Sequence, residues 1–220
     1  MLIRKLVLQT CYLQTLKEFY SSVLELPVDW LSETGLSITI GHTDLIFREA
    51  DESEPFYHFA INIPSNKIEE ARIWMGAKAK LLWIKDYDSE VADFVNWHAK
   101  SIYFLDPAGN ILELIARAHR KNEGTESFSS RQFLSIDEIG IVFSREEFEK
   151  RTGDLLHNYS LSYFEKQPPL PQFRAIGDEE GLLIAVPQHR NWYPTDIAAG
   201  IFPTRIEFVN GEKFFGIDLP

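Results

Sequence analysis

Three times along this chain a short apolar strand gives way at once to a charged, helix-like stretch. The pairs are "IRKLVLQT" with "LQTLKEFYSSVLEL", "FYHFAINIP" with "SNKIEEARIWMGAKAK", and "IDEIGIVF" with "SREEFEKRTGDLLHNY". An internal repeat constrains the fold more than any single motif, because each copy is one supersecondary unit that buries its apolar face only against a neighbour. Strand-like runs follow each helix: "PVDWL", "GLSITIG" and "DLIFREA" after the first; a poorly patterned stretch around "LLWIKDY", then "KSIYFLD" and "ILELIAR", after the second; "LSYFEK", "FRAIGD" and "LLIAVP" after the third. The unit therefore reads βαβββ, with the helix packed on one face of a small sheet and the other face free. A fourth copy starts at "PTRIEFV" and stops after "KFFGIDLP" without a helix. The polar stretch at 119–132 has no periodicity and is expected to be a linker. It separates a paired-unit domain, 1–118, from a degenerate second part, 133–220, made of the third unit and the partial fourth.

Local signals support these elements. Leu16, Phe19, Tyr20 and Val23 recur at helical spacing, and Ser144 with Glu147 has the spacing of a helix-starting capping box. "SIYFLDPAGNILEL", residues 101–114, reads as a hairpin turning through Asp-Pro-Ala-Gly-Asn. One residue in it does not fit: Glu113 places a carboxylate inside the apolar run Ile-Leu-Glu-Leu-Ile, on the face of Ile111 and Ile115.

Charge narrows the partners. With 22 basic against 33 acidic residues the formal charge is −11, and there is no basic stripe, so nucleic acid and anionic membrane surfaces are excluded as expected partners. Cys11 is the only cysteine, which rules out an intrachain disulfide and a Cys-rich zinc site. "MLIRKLVLQT" lacks an apolar stretch of signal length and no uncharged run approaches a membrane span, so a cytoplasmic protein is expected.

The first 118 residues resemble the vicinal oxygen chelate superfamily, which holds glyoxalases, bleomycin-resistance proteins, fosfomycin-resistance enzymes and extradiol dioxygenases. The resemblance is carried by "LQTLKEFYSSVLELPV" after a first strand, "YHFAINIP" opening the second unit, and "IYFLDPAGNILEL" closing it. It implies an α+β fold of tandem βαβββ units forming cupped mixed sheets, with a divalent metal on the inner surface. Overall the chain is similar to a shortened two-domain dioxygenase more than to a single-domain glyoxalase.

Carried over position by position, the resemblance puts His58 and Glu113 on metal-ligand sites. Imidazole and carboxylate suit Fe, Mn, Zn or Ni and leave coordination positions open for a small oxygen-rich substrate. His58 shares its strand face with Ala60 and Asn62, a small and polar wall expected to border a cavity. Across the hairpin, Ser101 and Tyr103 share the face of Glu113, offering a substrate-binding hydroxyl and a candidate catalytic phenol. The usual first-strand His of the first unit falls on Lys5, and a protonated ammonium cannot coordinate. Lys5 then either turns outward or contacts the substrate, and Gln9 is a substrate contact or, with water as the alternative, the third ligand. Glu138 and Arg205 occupy the corresponding positions of the third and fourth units, so no metal set is expected in the second half.

Ordinary structural readings stand beside these. A lone strand Glu is commonly solvated or paired with a buried Arg, here Arg117, and a lone strand His is commonly just hydrogen-bonded. His98 is either a proton donor at the cup mouth or loop surface, and His42 has no assigned role. The stretch "VPQHRNWYPTDIAAGIFP" gathers His189, Arg190, Trp192 and Tyr193, and either lines a ligand mouth or packs as a lid. Two functions follow: a metal-dependent lyase or dioxygenase acting on a small oxygen-rich substrate, or a metal-free binding protein of the bleomycin-resistance type in which Lys5 pairs with Glu113. Open sheet edges make a homodimer plausible.

Overall fold

The computed structural model describes residues 1–51 and 54–220. The first unit is β1 (Leu2–Thr10), α1 (Leu13–Glu18, continued by a wider turn over Phe19–Val23), β2 (Val28–Ser32), β3 (Gly35–Ile40) and β4 (Thr43–Glu49). The second is β5 (His58–Ile63), α2 (Ile68–Gly76), β6 (Ala92–Phe94), β7 (Ala99–Leu105) and β8 (Ile111–Arg117). The third is β9 (Ser135–Phe143), α3 (Phe148–Asn158), β10 (Arg174–Asp178) and β11 (Gly181–Pro187). A helix-free hairpin, β12 (Thr204–Asn210) and β13 (Lys213–Leu219), completes the chain. At the start of α3 the Glu147 amide donates to Ser144 Oγ at 3.2 Å. The strand expected at "LSYFEK" is reduced to a single bridge between Tyr163 and Ile176. Pro168, Pro169 and Pro171 follow it and have no amide hydrogen to extend a ladder.

In each complete unit the first strand lies parallel to the last: β1 with β4, β5 with β8 and β9 with β11. A parallel pair needs a crossover, which the helix supplies. Two sheets result, with strand orders β13-β12-β1-β4-β3-β2 and β10-β11-β9-β5-β8-β7-β6. This pairing departs from the expected one. The first unit does not share a sheet with the second; β1 runs antiparallel to β12, and β5 runs antiparallel to β9. All the first strands present an open edge and similar alternation, so their local patterns do not specify which edge joins which. The 119–132 segment is correspondingly no free tether. It leads from β8 round to β9, packs Phe128 against Trp74 with ring centroids 5.6 Å apart, and donates the Phe128 amide to Glu70 at 3.0 Å.

Alternation along the strands divides the apolar residues between two faces. Leu6, Leu8 and Phe47 from the first sheet, Phe59, Ile61 and Leu112 from the second, and Tyr20, Met75 and Leu155 from the helical segments form one continuous core. The opposite face of the second sheet carries a separate cluster that includes Tyr103, Ile111, Ile184 and Trp192. No helix among the described residues is long and apolar enough to cross a membrane.

Candidate functional site

The site is set by the turn between β7 and β8. Gly109 takes φ +83°, a conformation that L side chains rarely adopt. Asp106 Oδ1 accepts from the amides of Ala108 and Asn110, both at 3.0 Å, while its Oδ2 accepts from Asn110 Nδ2 at 2.8 Å and Tyr20 Oη at 3.0 Å. Asn110 Oδ1 in turn accepts from the Tyr57 amide at 2.8 Å. The Asp-Pro-x-Gly-Asn stretch and the Phe-Tyr helix are therefore one hydrogen-bonded device. It fixes the start of β5 beside the start of β8, in the register His58 to Ile111 and Ala60 to Glu113.

That register brings His58 and Glu113 together. His58 Nε2 lies 3.6 Å from Glu113 Oε2, and both side chains are buried. His58 Nδ1 is 3.1 Å from the Ile111 carbonyl, which can only accept; Nδ1 therefore carries the proton and Nε2 turns its lone pair toward the carboxyl. Burial pushes the His58 pKa down to about 4, the Ile111 carbonyl opposes this and Arg190 adds to it, so the imidazole is neutral at pH 7. Burial holds Glu113 well above the usual carboxylate range, as does the nearby charge of Glu138, while Ser101, Tyr103 and Arg117 act in the other direction. Ser101 Oγ has no hydrogen bond of good geometry, so its influence is one of proximity.

Glu138 is the residue that sequence reasoning set aside. It lies opposite Ala60 in the β5–β9 ladder, and Arg117 donates Nη2–H to its Oε1. Both are buried. Burial raises the Glu138 pKa and Arg117 counters it. A local two-fold explains the placement. Ala60 pairs with Glu113 in β5–β8, Gly140 pairs with Ile184 in β9–β11, and β5 and β9 are antiparallel neighbours. Glu138, two residues before Gly140, is then the counterpart of His58, and Ile184 is the counterpart of Glu113.

Other expected residues lie elsewhere. Lys5 belongs to the first sheet, where its Nζ is 3.4 Å from Glu207 Oε2, so the expected pairing with Glu113 does not form. Gln9 is on the same strand and donates its backbone amide to Tyr57 Oη at 3.1 Å. Asn62 is buried beneath the 119–132 segment, with Asn122 Nδ2 3.4 Å from its Oδ1, away from the cavity lining. Tyr103 does face the cavity, directly across from Glu113, and burial raises its pKa far above the ordinary phenol value. His98 is exposed on the loop after Trp97, outside the cavity lining.

Over His58, Glu113 and Glu138 lies a cavity of about 260 Å³. Its walls are mostly aromatic: Phe94, Trp97, Tyr103, Phe173, Trp192 and Tyr193. Trp192 reaches in from the loop between β11 and β12, with its ring centroid 5.3 Å from that of His58. Gly140 makes room for it, since a Cβ there would lie 2.5 Å from the indole. Trp97 Nε1 is fixed by Gln167 Oε1 at 3.1 Å. Of the aromatic loop, Arg190, Trp192 and Tyr193 line the cavity and His189 does not.

The donors fit a divalent metal only in part. His58 Nε2 and Glu113 are spaced as two ligands, and the Nδ1 bond to a carbonyl orients the ring as in metal sites. The third carboxylate, Glu138, is committed to Arg117, and the fourth position is Ile184, which cannot coordinate. No group of three His, Cys, Asp or Glu among the described residues is placed to hold an ion.

No family model matches the sequence, and no curated protein does. By structure the chain is similar to a putative dioxygenase from Bacillus subtilis subsp. subtilis str. 168, with TM-score 0.57 and 16% identity over 99% of this chain and 84% of that one. It is also similar to glyoxalase I from Zea mays, with TM-score 0.55 and 12% identity over 90% of this chain and 70% of that one. At such identities the likeness is one of fold. What these structures share with the chain is the cupped α+β architecture built of βαβββ units.

Proposed function

We propose that the cavity on the second sheet binds a small, largely apolar aromatic molecule and holds it without a resident metal, in the manner expected of bleomycin-resistance-type proteins. The observation that carries this reading is the aromatic wall closing over buried polar groups, the usual make-up of a small-molecule site. Calorimetric titration with the neutral probe 1-naphthamide tests it. Saturable 1:1 binding that Trp192→Ala weakens at least fivefold is the expected result; no binding at millimolar probe would overturn the proposal.

The alternative, a metal-dependent lyase or dioxygenase, has one observation in its favour: the 3.6 Å separation of His58 Nε2 and Glu113 Oε2. Elemental analysis after soaking in Fe(II), Mn(II), Zn(II) or Ni(II) and dialysis distinguishes the two. Below about a tenth of an equivalent supports the metal-free reading. A near-stoichiometric ion that His58→Ala abolishes supports the enzyme.

A further inference from the structure

Resting on the reading of the cavity as a small-molecule site, we infer that its occupant is a two-ring aromatic acid, bound as a monoanion with its carboxylate received by Arg190. Size comes first. A cavity of about 150 Å³ accommodates one benzene ring, so about 260 Å³ leaves room for a second ring or its equivalent.

Charge comes next. Arg190, Glu113 and Glu138 line the cavity, and Arg117 lies behind Glu138. Arg117 and Glu138 are paired with each other and cancel. Arg190, on the cavity wall, has no ion-pair partner among the described residues; it lies 5.3 Å over the Phe173 ring, with only a 3.3 Å contact to the Asn191 carbonyl. Burial lowers its pKa, which records an uncompensated desolvated cation.

Hydrogen-bonding capacity points the same way. Tyr193, three residues further along the same loop, lines the same cavity, and its buried Oη has no hydrogen-bond partner among the described residues. A guanidinium and a phenol held by one loop above an aromatic slot are donors in want of an acceptor. A planar carboxylate matches the guanidinium fork, whereas a cationic ligand would meet Arg190 with like charge. Arg190 and Tyr193 thus make the loop between β11 and β12 the specificity element of the pocket.

Calorimetric titration with 1-naphthoate, 1-naphthamide and 1-naphthylmethylammonium tests the inference on the intact chain. The expected order is naphthoate tighter than naphthamide by about tenfold to a hundredfold, the worth of one charge-assisted hydrogen bond, with the ammonium undetectable. Arg190→Gln should weaken the acid at least tenfold more than the amide, and Arg190→Lys should restore most of the acid preference. Equal binding of acid and amide, preference for the ammonium, or an acid preference that survives Arg190→Gln would overturn it. If the amide binds and the acid gains nothing, the charge inference fails while the pocket stands. If none of the three binds, both fall.

Discussion

Arg117 forms an ion pair with Glu138, which lines the cavity, across strand β5, which separates the strands that carry them. The pair joins the second unit to the third, and both side chains are buried. Arg117 Nε and Nη1 find no other acceptor, so its charge is balanced from one side only.

Removing Glu138 alone therefore strands a buried cation. Glu138→Gln should cost about 3–5 kcal/mol in urea unfolding at pH 7, while the double replacement Arg117→Met with Glu138→Leu should cost less than the two single changes added together. Additive costs would mean that the two residues do not depend on each other.

Arg117 also occupies the carboxylate of Glu138, the other acidic group on the cavity wall. Arg117→Met should leave His58, Glu113 and Glu138 available to one ion, so that after soaking in Zn(II) and dialysis the variant retains close to one equivalent. Adding His58→Ala should abolish the retention. A variant that stays as metal-poor as the native protein would show that the obstacle lies elsewhere.

Trp192 occupies space that exists only because residue 140 has no side chain. The nearest indole atoms lie 2.5, 2.9 and 3.1 Å from where a Cβ would be. Gly140→Ala should cost about 1–3 kcal/mol and weaken 1-naphthamide binding by displacing the wall. Unchanged stability and affinity would show that Trp192 shifts freely.

Asp106 ties the hairpin to the first helical segment, and burial raises its pKa from 3.8 to about 6 against the bonds from Asn110, Tyr20 and Ala108. The folded protein then holds a proton that the unfolded chain has lost, so this group's contribution to stability falls as pH rises from about 4 to 6. The loss is on the order of 3 kcal/mol. Urea unfolding of the native protein and Asp106→Asn at pH 4, 5, 6 and 7 should show the native protein's advantage shrinking across that window and levelling above it. A constant difference would contradict the assignment.

Much of this was legible residue by residue. The strand–helix alternation, the Asp-Pro-Ala-Gly-Asn turn and the out-of-place carboxylate of Glu113 are local patterns, and local stereochemistry enforces them: period-two alternation, the positive φ at Gly109, and side chains that satisfy nearby amides. The pairing of His58 with Glu113 came from the family resemblance rather than from those patterns, and the parallel register of β5 with β8 brings the two side chains together. The local patterns did not determine which first strand meets which, because β1, β5, β9 and β12 offer interchangeable open edges. Only the tertiary pairing of β5 with β9 delivered Glu138, paired with Arg117, to the cavity wall, left Lys5 and Gln9 on another sheet, and let the loop carrying Arg190 and Trp192 close the pocket. The physical reason is range: burial of the opposite sheet faces and of the Arg117–Glu138 pair is decided by contacts between units, which no single stretch of chain encodes.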